Sequence, residues 1–495
     1  MFVRPTFFLD LPDRPLLVVG VLLCVIAAWF TIGYHHPDEH FQIWEFANYK
    51  LGHIPASALP WEFPAEMRPG LQPFLAYSII IFARFFGIQD PFVYVFLARL
   101  TCALAALWVY WEWTAWLARD FKNQHSLRWM RLGLLFFWLM PYLNVRFSSE
   151  NTSAIAFFGG VLLLVQNLAL THPKLNGKLV LAGLLLGLSF FFRYQIAFAG
   201  IGLGAWLLFQ RNMGIARWAA LVLGVGLAVA VGAATDFWLY DEWVFAPYNY
   251  FFSNIMEGKA ANFGVAPFYW YLTEMPIALL PPLSIILLFG VGLGVWHQPK
   301  HVFTWITVPF VLAHALVAHK EIRFLFPMVL PFFFFACAGW EAYRGTLATR
   351  KWVQKLWYFC LILNGLVLLI RIFLPAKEMA SYARFLYKWE ESHPDTKVFF
   401  VKKKPIPNYP LNMPFYKHPS QKQIDWYTEP PYQNDTSALN SGDLMFFTDA
   451  CLSGLIPLKG FHLIREFTYY PDWILINNTN NWQDRTRIWS IYRLE

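Results

Sequence analysis

The run LLVVGVLLCVIAAWF at residues 16–30, followed closely by Gly33-Tyr34-His35-His36-Pro37-Asp38-Glu39, decides the class of fold. Arg4 and Arg14 precede the run as they would in a secretory signal, but no small-residue cleavage site follows it. It reads as a retained first membrane helix that hands the chain to a polar, aromatic loop. Apolar runs recur at residues 217–233, 279–295 and 357–370, and several approach the ~20 residues that span hydrocarbon. Of 495 residues 57% are hydrophobic and 14% charged. Soluble domains carry about a quarter charged, so an ordinary soluble enzyme is excluded.

The net charge of +8 is divided among short connectors between apolar runs, at residues 119–131, 172–178, 211–217, 297–301 and 344–355. That pattern fits the positive-inside rule better than nucleic-acid binding and predicts these connectors to be cytoplasmic. Residues 34–69, 147–151, 240–271 and the tail after Pro375 lack the bias and are expected outside. This demands an odd number of crossings between Pro69 and Arg119, where two apolar segments lie. The first, 71–86, is shorter, opens Leu71-Gln72-Pro73 and is interrupted by Arg84, so it is expected along the outer interface as an amphipathic helix. Residues 91–117 then cross. The remaining spans are expected near 129–146, 150–170, 178–192, 195–210, 216–238, 273–297, 302–318, 323–343 and 353–374, about eleven crossings with 16–30 included. The amino end is then cytoplasmic.

Residues 1–375 are expected to form an all-α polytopic membrane domain, with a first external loop at 35–90 and a second at 239–272. Residues 376–495 are expected to form a small α/β extracytoplasmic domain, with strand-like runs at 398–401, 444–447, 473–476 and 488–492. Its aromatic residues Tyr409, Phe415, Tyr416, Trp426 and Tyr427 are candidates for acceptor recognition. Cys24, Cys102, Cys337 and Cys360 lie in apolar runs and Cys451 in the tail, so neither a disulfide framework nor a metal spacing is present. No inverted repeat of the transporter kind is visible.

Three constellations fall on the outer side. In the first, Asp38 and Glu39 follow Pro37 at a membrane boundary. Proline and acids suit a helix start, but a carboxylate partly withdrawn from water also has a raised proton affinity and can act as a general base. Trp61, Glu62 and Arg68 could bring further polar groups near Asp38. The second constellation, residues 236–272, holds Asn249, Asn254 and Trp270 among many aromatic side chains. Tryptophan and tyrosine gather at bilayer interfaces for solvation alone, yet aromatic faces also stack on sugars, so this loop is a candidate lid. The third is His319-Lys320-Glu321-Ile322-Arg323. Snorkelling explains the cations but not the histidine and glutamate between them. A phosphate clamp explains all four: Arg323, Lys320 and His319 as donors, with Glu321 orienting a cation. Arg99 and Arg193, costly inside a membrane, are further candidates for a donor phosphate.

In this order, His36 to Gln42, Trp61 to Arg68, residues 236–272 and His319 to Phe324 resemble glycosyltransferase family 22, the polyprenyl-phosphate-mannose-dependent mannosyltransferases with the GT-C fold. The likeness covers most of residues 30–330 and lies nearest the GPI branch. It implies an inverting transfer of a hexose, mannose above all, from a polyprenyl-phosphate donor to a glycan or glycolipid acceptor. It also implies catalysis on the extracytoplasmic face by a carboxylate of the first external loop, which maps onto Asp38 with Glu39 beside it. The membrane would be a bacterial inner membrane or the endoplasmic reticulum. A lipid-phosphate sugar needs no metal to hold a diphosphate, so no cofactor or metal is expected. Two alternatives stand beside this reading: transfer of another sugar to a lipid headgroup, and a non-enzymatic transporter of lipid-linked glycan. The chain departs from the family at Phe63, where a Trp-Glu-Trp is usual, and at residues 410–416, which lack a Cys-His pair.

Overall fold

The computed structural model describes residues 13–170, 177–211, 213–343, 350–403, 413–418, 421–430, 433–448, 458, 460–486 and 488–495. Tyr409, Cys451 and part of the 410–416 stretch lie outside the described residues. The chain divides into two compact units, one of residues 1–31 and 36–374, the other of residues 32–35 and 375–495.

The first unit is helical. It runs through α1 (Asp13–Phe30), α2 (Pro37–Phe41), α3 (Trp44–Lys50), α4 (Leu71–Phe85), α5 (Pro91–Leu117), α6 (Gln124–Phe136), α7 (Met140–Asn144) and α8 (Ser149–Leu168). It continues through α9 (Gly177–Phe192), α10 (Ala197–Gln210), α11 (Ile215–Tyr240), α12 (Ala246–Phe251), α13 (Trp270–Ala278), α14 (Leu283–His297), α15 (Val302–Leu316), α16 (Val329–Ala342) and α17 (Lys351–Phe373). Among the described residues six helices are long and apolar enough to cross a membrane: α1, α5, α8, α11, α17 and the span Ile322–Ala342 that includes α16. The protein is a multi-pass membrane protein. Leu71–Phe85 has 15 residues, a rise of about 22 Å, short of the ~30 Å hydrocarbon core. It buries Ala76, Ile80 and Ala83 on one face and exposes Phe82 and Phe85.

Two stretches expected as continuous spans are broken, and each break lies at a proline. Residues 129–146 divide into α6 and α7 ahead of Pro141, which occupies the first turn of α7, and Met140 N closes on Phe137 O at 2.8 Å. The freed groups are met by Asn364 of α17, whose amide donates to Phe136 O at 2.8 Å and accepts from Trp138 N at 2.8 Å. Unmet backbone groups inside a membrane protein cost several kcal/mol in lipid, so this side chain makes the break tolerable. Asn364→Leu is therefore expected to destabilise the unit by about 2 kcal/mol or more, read as thermal unfolding in detergent. An unchanged transition would contradict that role. Residues 273–297 divide into α13 and α14 at Pro281-Pro282.

Close helix pairs use glycine, since lipid gives apolar surfaces no reason to leave it and only short approach distances add packing energy. A Cβ on Gly183 of α9 would sit 2.1 Å from Leu221 O of α11, and one on Gly224 would sit 2.0 Å from Val180 O. Gly187 faces Ala228 and Gly232 faces Phe191, so residue numbers rise together and α9 and α11 run parallel. α10 is then the return stroke, which puts Arg193 at the turn between α9 and α10. Gly290 and Gly294 of α14 meet Ala336 and Phe335 of α16 in the same way, but antiparallel.

The second unit holds a five-stranded mixed sheet. Its strands are β1 (Lys397–Lys402), β2 (Lys422–Tyr427), β3 (Leu444–Phe447), β4 (Leu463–Thr468) and β5 (Ser490–Leu494), in the order β2-β1-β3-β5-β4. β1 pairs in parallel with β2 and β3, while β5 is antiparallel to β3 and β4. A helix at Met379–Ser392 lies against it, with Tyr382 stacked on Phe446 at 5.3 Å. The run 473–476, expected as a strand, is instead a helical turn, Asp472–Leu475, started by Pro471 and an acid in its first turn. Phe415, Tyr416 and Trp426 are buried, with Trp426 packed edge-on to Phe399 in the unit's core.

Candidate active site

His36 accepts from Asp38 N at 3.3 Å and caps the short α2, whose Pro37 fixes the first turn. That cap places Asp38 over a cleft lined by Arg68, Glu150, Arg193, Gln195 and Tyr250. The cleft holds about 40 Å³.

Arg323, just past the break between α15 and α16, is the hub. Its Nη2 donates to Asp38 Oδ2 at 3.1 Å, its Nη1 to Glu150 Oε1 at 2.8 Å and its Nε to Glu321 Oε2 at 2.6 Å. Arg193 Nη1 shares the same Glu150 oxygen at 2.8 Å and reaches Ser149 Oγ at 3.2 Å. Glu150 is 3% exposed and starts α8, where the helix dipole favours an anion. Two residues 173 apart are thus locked into one network. Glu321 also accepts from His319 Nε2 at 2.9 Å and stands 3.6 Å from His36.

Burial alone would push the Asp38 carboxyl up, as the sequence suggests, but the result is the reverse. His36, Arg68 and Arg323 together hold it well below the ordinary carboxylate range. Glu321 is likewise held low against its burial, first by the Arg323 hydrogen bond.

Arg68 is placed by its backbone. Tyr240 Oη accepts from Arg68 N at 3.2 Å and donates to Arg68 O at 2.8 Å, while Asp236 accepts from Gly70 N at 2.7 Å. Gly70 is required there, since a Cβ would lie 2.2 Å from Thr235 O. The guanidinium then lies 5.6 Å from the Tyr250 ring and 3.4 Å from Glu62, which also accepts from Gln42 at 3.1 Å.

Glu39 lines the same cleft beside Asp38, is buried and pairs with Arg146 at 3.7 Å. Other residues singled out from the sequence are engaged elsewhere. Lys320 donates to Val317 O at 2.6 Å and Ala266 O at 2.7 Å, and Ala266 N donates to Ala318 O at 3.0 Å, so this lysine fastens the 239–272 loop rather than reaching into the cleft. Asn249 holds Glu66 O at 3.2 Å and Asn254 holds Tyr250 O at 3.0 Å. Trp61 stacks with Phe263 at 6.5 Å, and Trp270 packs into the helical core beside Tyr271. Arg99 is buried on α5 away from the cleft lining. Glu150 was not among the candidates; its signal was an acid beside Ser148 and Ser149 in an external connector.

The helical membrane unit has the architecture of the GT-C fold class. The chain belongs to the Alg9-like mannosyltransferase family, whose profile matches residues 16–424. It is 22% identical over 314 residues to GPI mannosyltransferase 3 of Candida albicans, covering 62% of this chain and 60% of that one. It is 27% identical over 359 residues to GPI mannosyltransferase 3 of Yarrowia lipolytica, covering 70% and 65%. The matches thus span less than two thirds of those relatives' lengths. Its fold is shared with the crystal structure of ArnT from Cupriavidus metallidurans bound to undecaprenyl phosphate, at TM-score 0.56, 13% identity and 97% coverage of both chains.

Proposed function

We propose that the chain is an inverting mannosyltransferase that takes mannose from a polyprenyl-phosphate donor and passes it to a hydroxyl of a glycan or glycolipid acceptor on the extracytoplasmic face. The observation that carries this reading is Asp38 at 3.1 Å from Arg323, with Arg68 and Arg193 lining the same cleft. Family membership and the names of the relatives support mannose, and the charge bias of the connectors supports the outer face.

In this reading the acceptor oxygen attacks the anomeric carbon, its proton passes to Asp38, and the bond from that carbon to the phosphate oxygen breaks. The electron pair leaves with polyprenyl phosphate. Arg323 has its donors directed to three carboxylates, so it sets the position of Asp38, while Arg68 and Arg193 face the leaving phosphate. Entry of that phosphate brings negative charge beside Arg68, weakens the pull of the cations on Asp38 and raises its proton affinity when a base is needed. The Arg323 arrangement thus replaces the sequence-level idea of a base poised by burial alone.

The test uses the full chain in nanodiscs with labelled polyprenyl-phosphate mannose, polyprenyl-phosphate glucose and a nucleotide-linked mannose. A new glycosidic bond formed from the lipid-phosphate mannose is expected. Movement of lipid-linked glycan across liposomes without such a bond, or transfer from the nucleotide sugar alone, would contradict the reading. Arg68→Gln is expected to raise the donor KM about tenfold or more, with the acceptor KM little changed.

A further inference from the structure

A second cavity, of about 470 Å³, lies at the far end of the helices that build the Asp38 cleft. α8 has Glu150 at its start and Leu168 at this cavity. α10 follows Arg193 and ends at Arg211, and α15 starts beside His301 here and ends before His319. A 20-residue helix spans about 30 Å, so the two sites sit at opposite boundaries of the bilayer core.

The rim is cationic and aromatic. The guanidinium of Arg119 lies 3.6 Å over the Trp116 ring, and that of Arg211 lies 4.9 Å from the Trp206 ring. Trp206 Nε1 donates to Lys300 O at 3.2 Å, which fixes the third cation at the rim. A guanidinium laid on a ring face keeps its N–H edge turned outward, the geometry that recognises phosphate in a two-pronged way. The connectors at residues 118–124, 169–178, 210–217 and 297–301 contain seven Lys and Arg and one acid, Asp120. Asp120 Oδ2 stands 4.0 Å from Arg119 Nε, too far for a hydrogen bond. Helix C-termini gather here and favour cations on their own, but that use needs no cavity, and this one has the size of a small-ligand site. Tryptophan at this level marks the bilayer interface, where phosphate headgroups are the abundant anions.

We infer that this cavity binds the phosphate of an acidic phospholipid headgroup at the boundary opposite Asp38. The inference does not rest on the transfer reaction, and its test reads bound lipid rather than turnover. The full chain is taken from nanodiscs of equal phosphatidylglycerol and phosphatidylcholine, and retained lipid is read by native mass spectrometry. Preferential retention of phosphatidylglycerol is expected, reduced about tenfold or more in Arg119→Gln/Lys300→Gln. Equal retention of both lipids by the parent, which needs no variant, would overturn the inference, as would parent-like retention by the double variant. Thermal protection by millimolar inorganic phosphate with no lipid preference would also overturn it, by assigning the cavity to a soluble anion.

Discussion

Asp38→Asn is expected to lower turnover by about 10²- to 10⁴-fold with the fold intact. The amide keeps the size of the carboxylate and can still accept one hydrogen bond from Arg323, but it cannot take the acceptor's proton. The carboxylate side chain is 26% exposed, so water can compensate for the lost charge and unfolding is expected near the parent temperature. The cations beside Asp38 also set the sign of the pH response. A base must be ionised, and a carboxyl held below its ordinary range stays ionised as pH falls. No acid limb from Asp38 is therefore expected in kcat/KM of the free enzyme above about pH 4. Near-parent turnover in the variant, with normal unfolding, would remove Asp38 from the role of base.

Arg323→Met is expected to cost stability as well as activity. The guanidinium is 8% exposed and is the shared partner of Asp38, Glu150 and Glu321. Removing one member of a buried pair leaves a charge without its counterion, a loss of about 3–5 kcal/mol. Arg193 still faces Glu150, which tempers the loss there, whereas Glu321 keeps His319 and His36. Turnover should fall at least about 10²-fold because Asp38 loses its placement. Thermal unfolding and turnover are measured together. A variant with parent stability would show that the bridged carboxylates are not held by Arg323.

The membrane class was legible because composition and apolar runs report burial in lipid directly. Helix continuity was less legible. Residues 129–146 and 273–297 are mostly apolar, and hydropathy does not register the interruption ahead of Pro141 or the stop at Pro281-Pro282. Asn364, the residue that repairs the first break, is 226 positions from Trp138 and carries no local signal. The same holds for the cleft. Asp38 and Arg323 drew notice as charges at a boundary, but Glu150, which joins Arg323 to Arg193, reads locally as a helix-start acid. Lys320 sits between noteworthy neighbours and yet serves two carbonyls, because a single side chain's direction is set by packing that the sequence does not state. In the second unit, 473–476 has strand-forming residues but follows Pro471-Asp472, and the turn chemistry prevailed over the propensity.

The most direct measurement is a cryo-electron microscopy structure of the full chain in nanodiscs with polyprenyl-phosphate mannose bound to the Asp38→Asn variant. The account predicts the phosphate within about 3 Å of Arg68 or Arg193, with the anomeric carbon turned toward position 38. A donor seated with its phosphate at the Arg119 and Lys300 end, or with its sugar away from position 38, would contradict it.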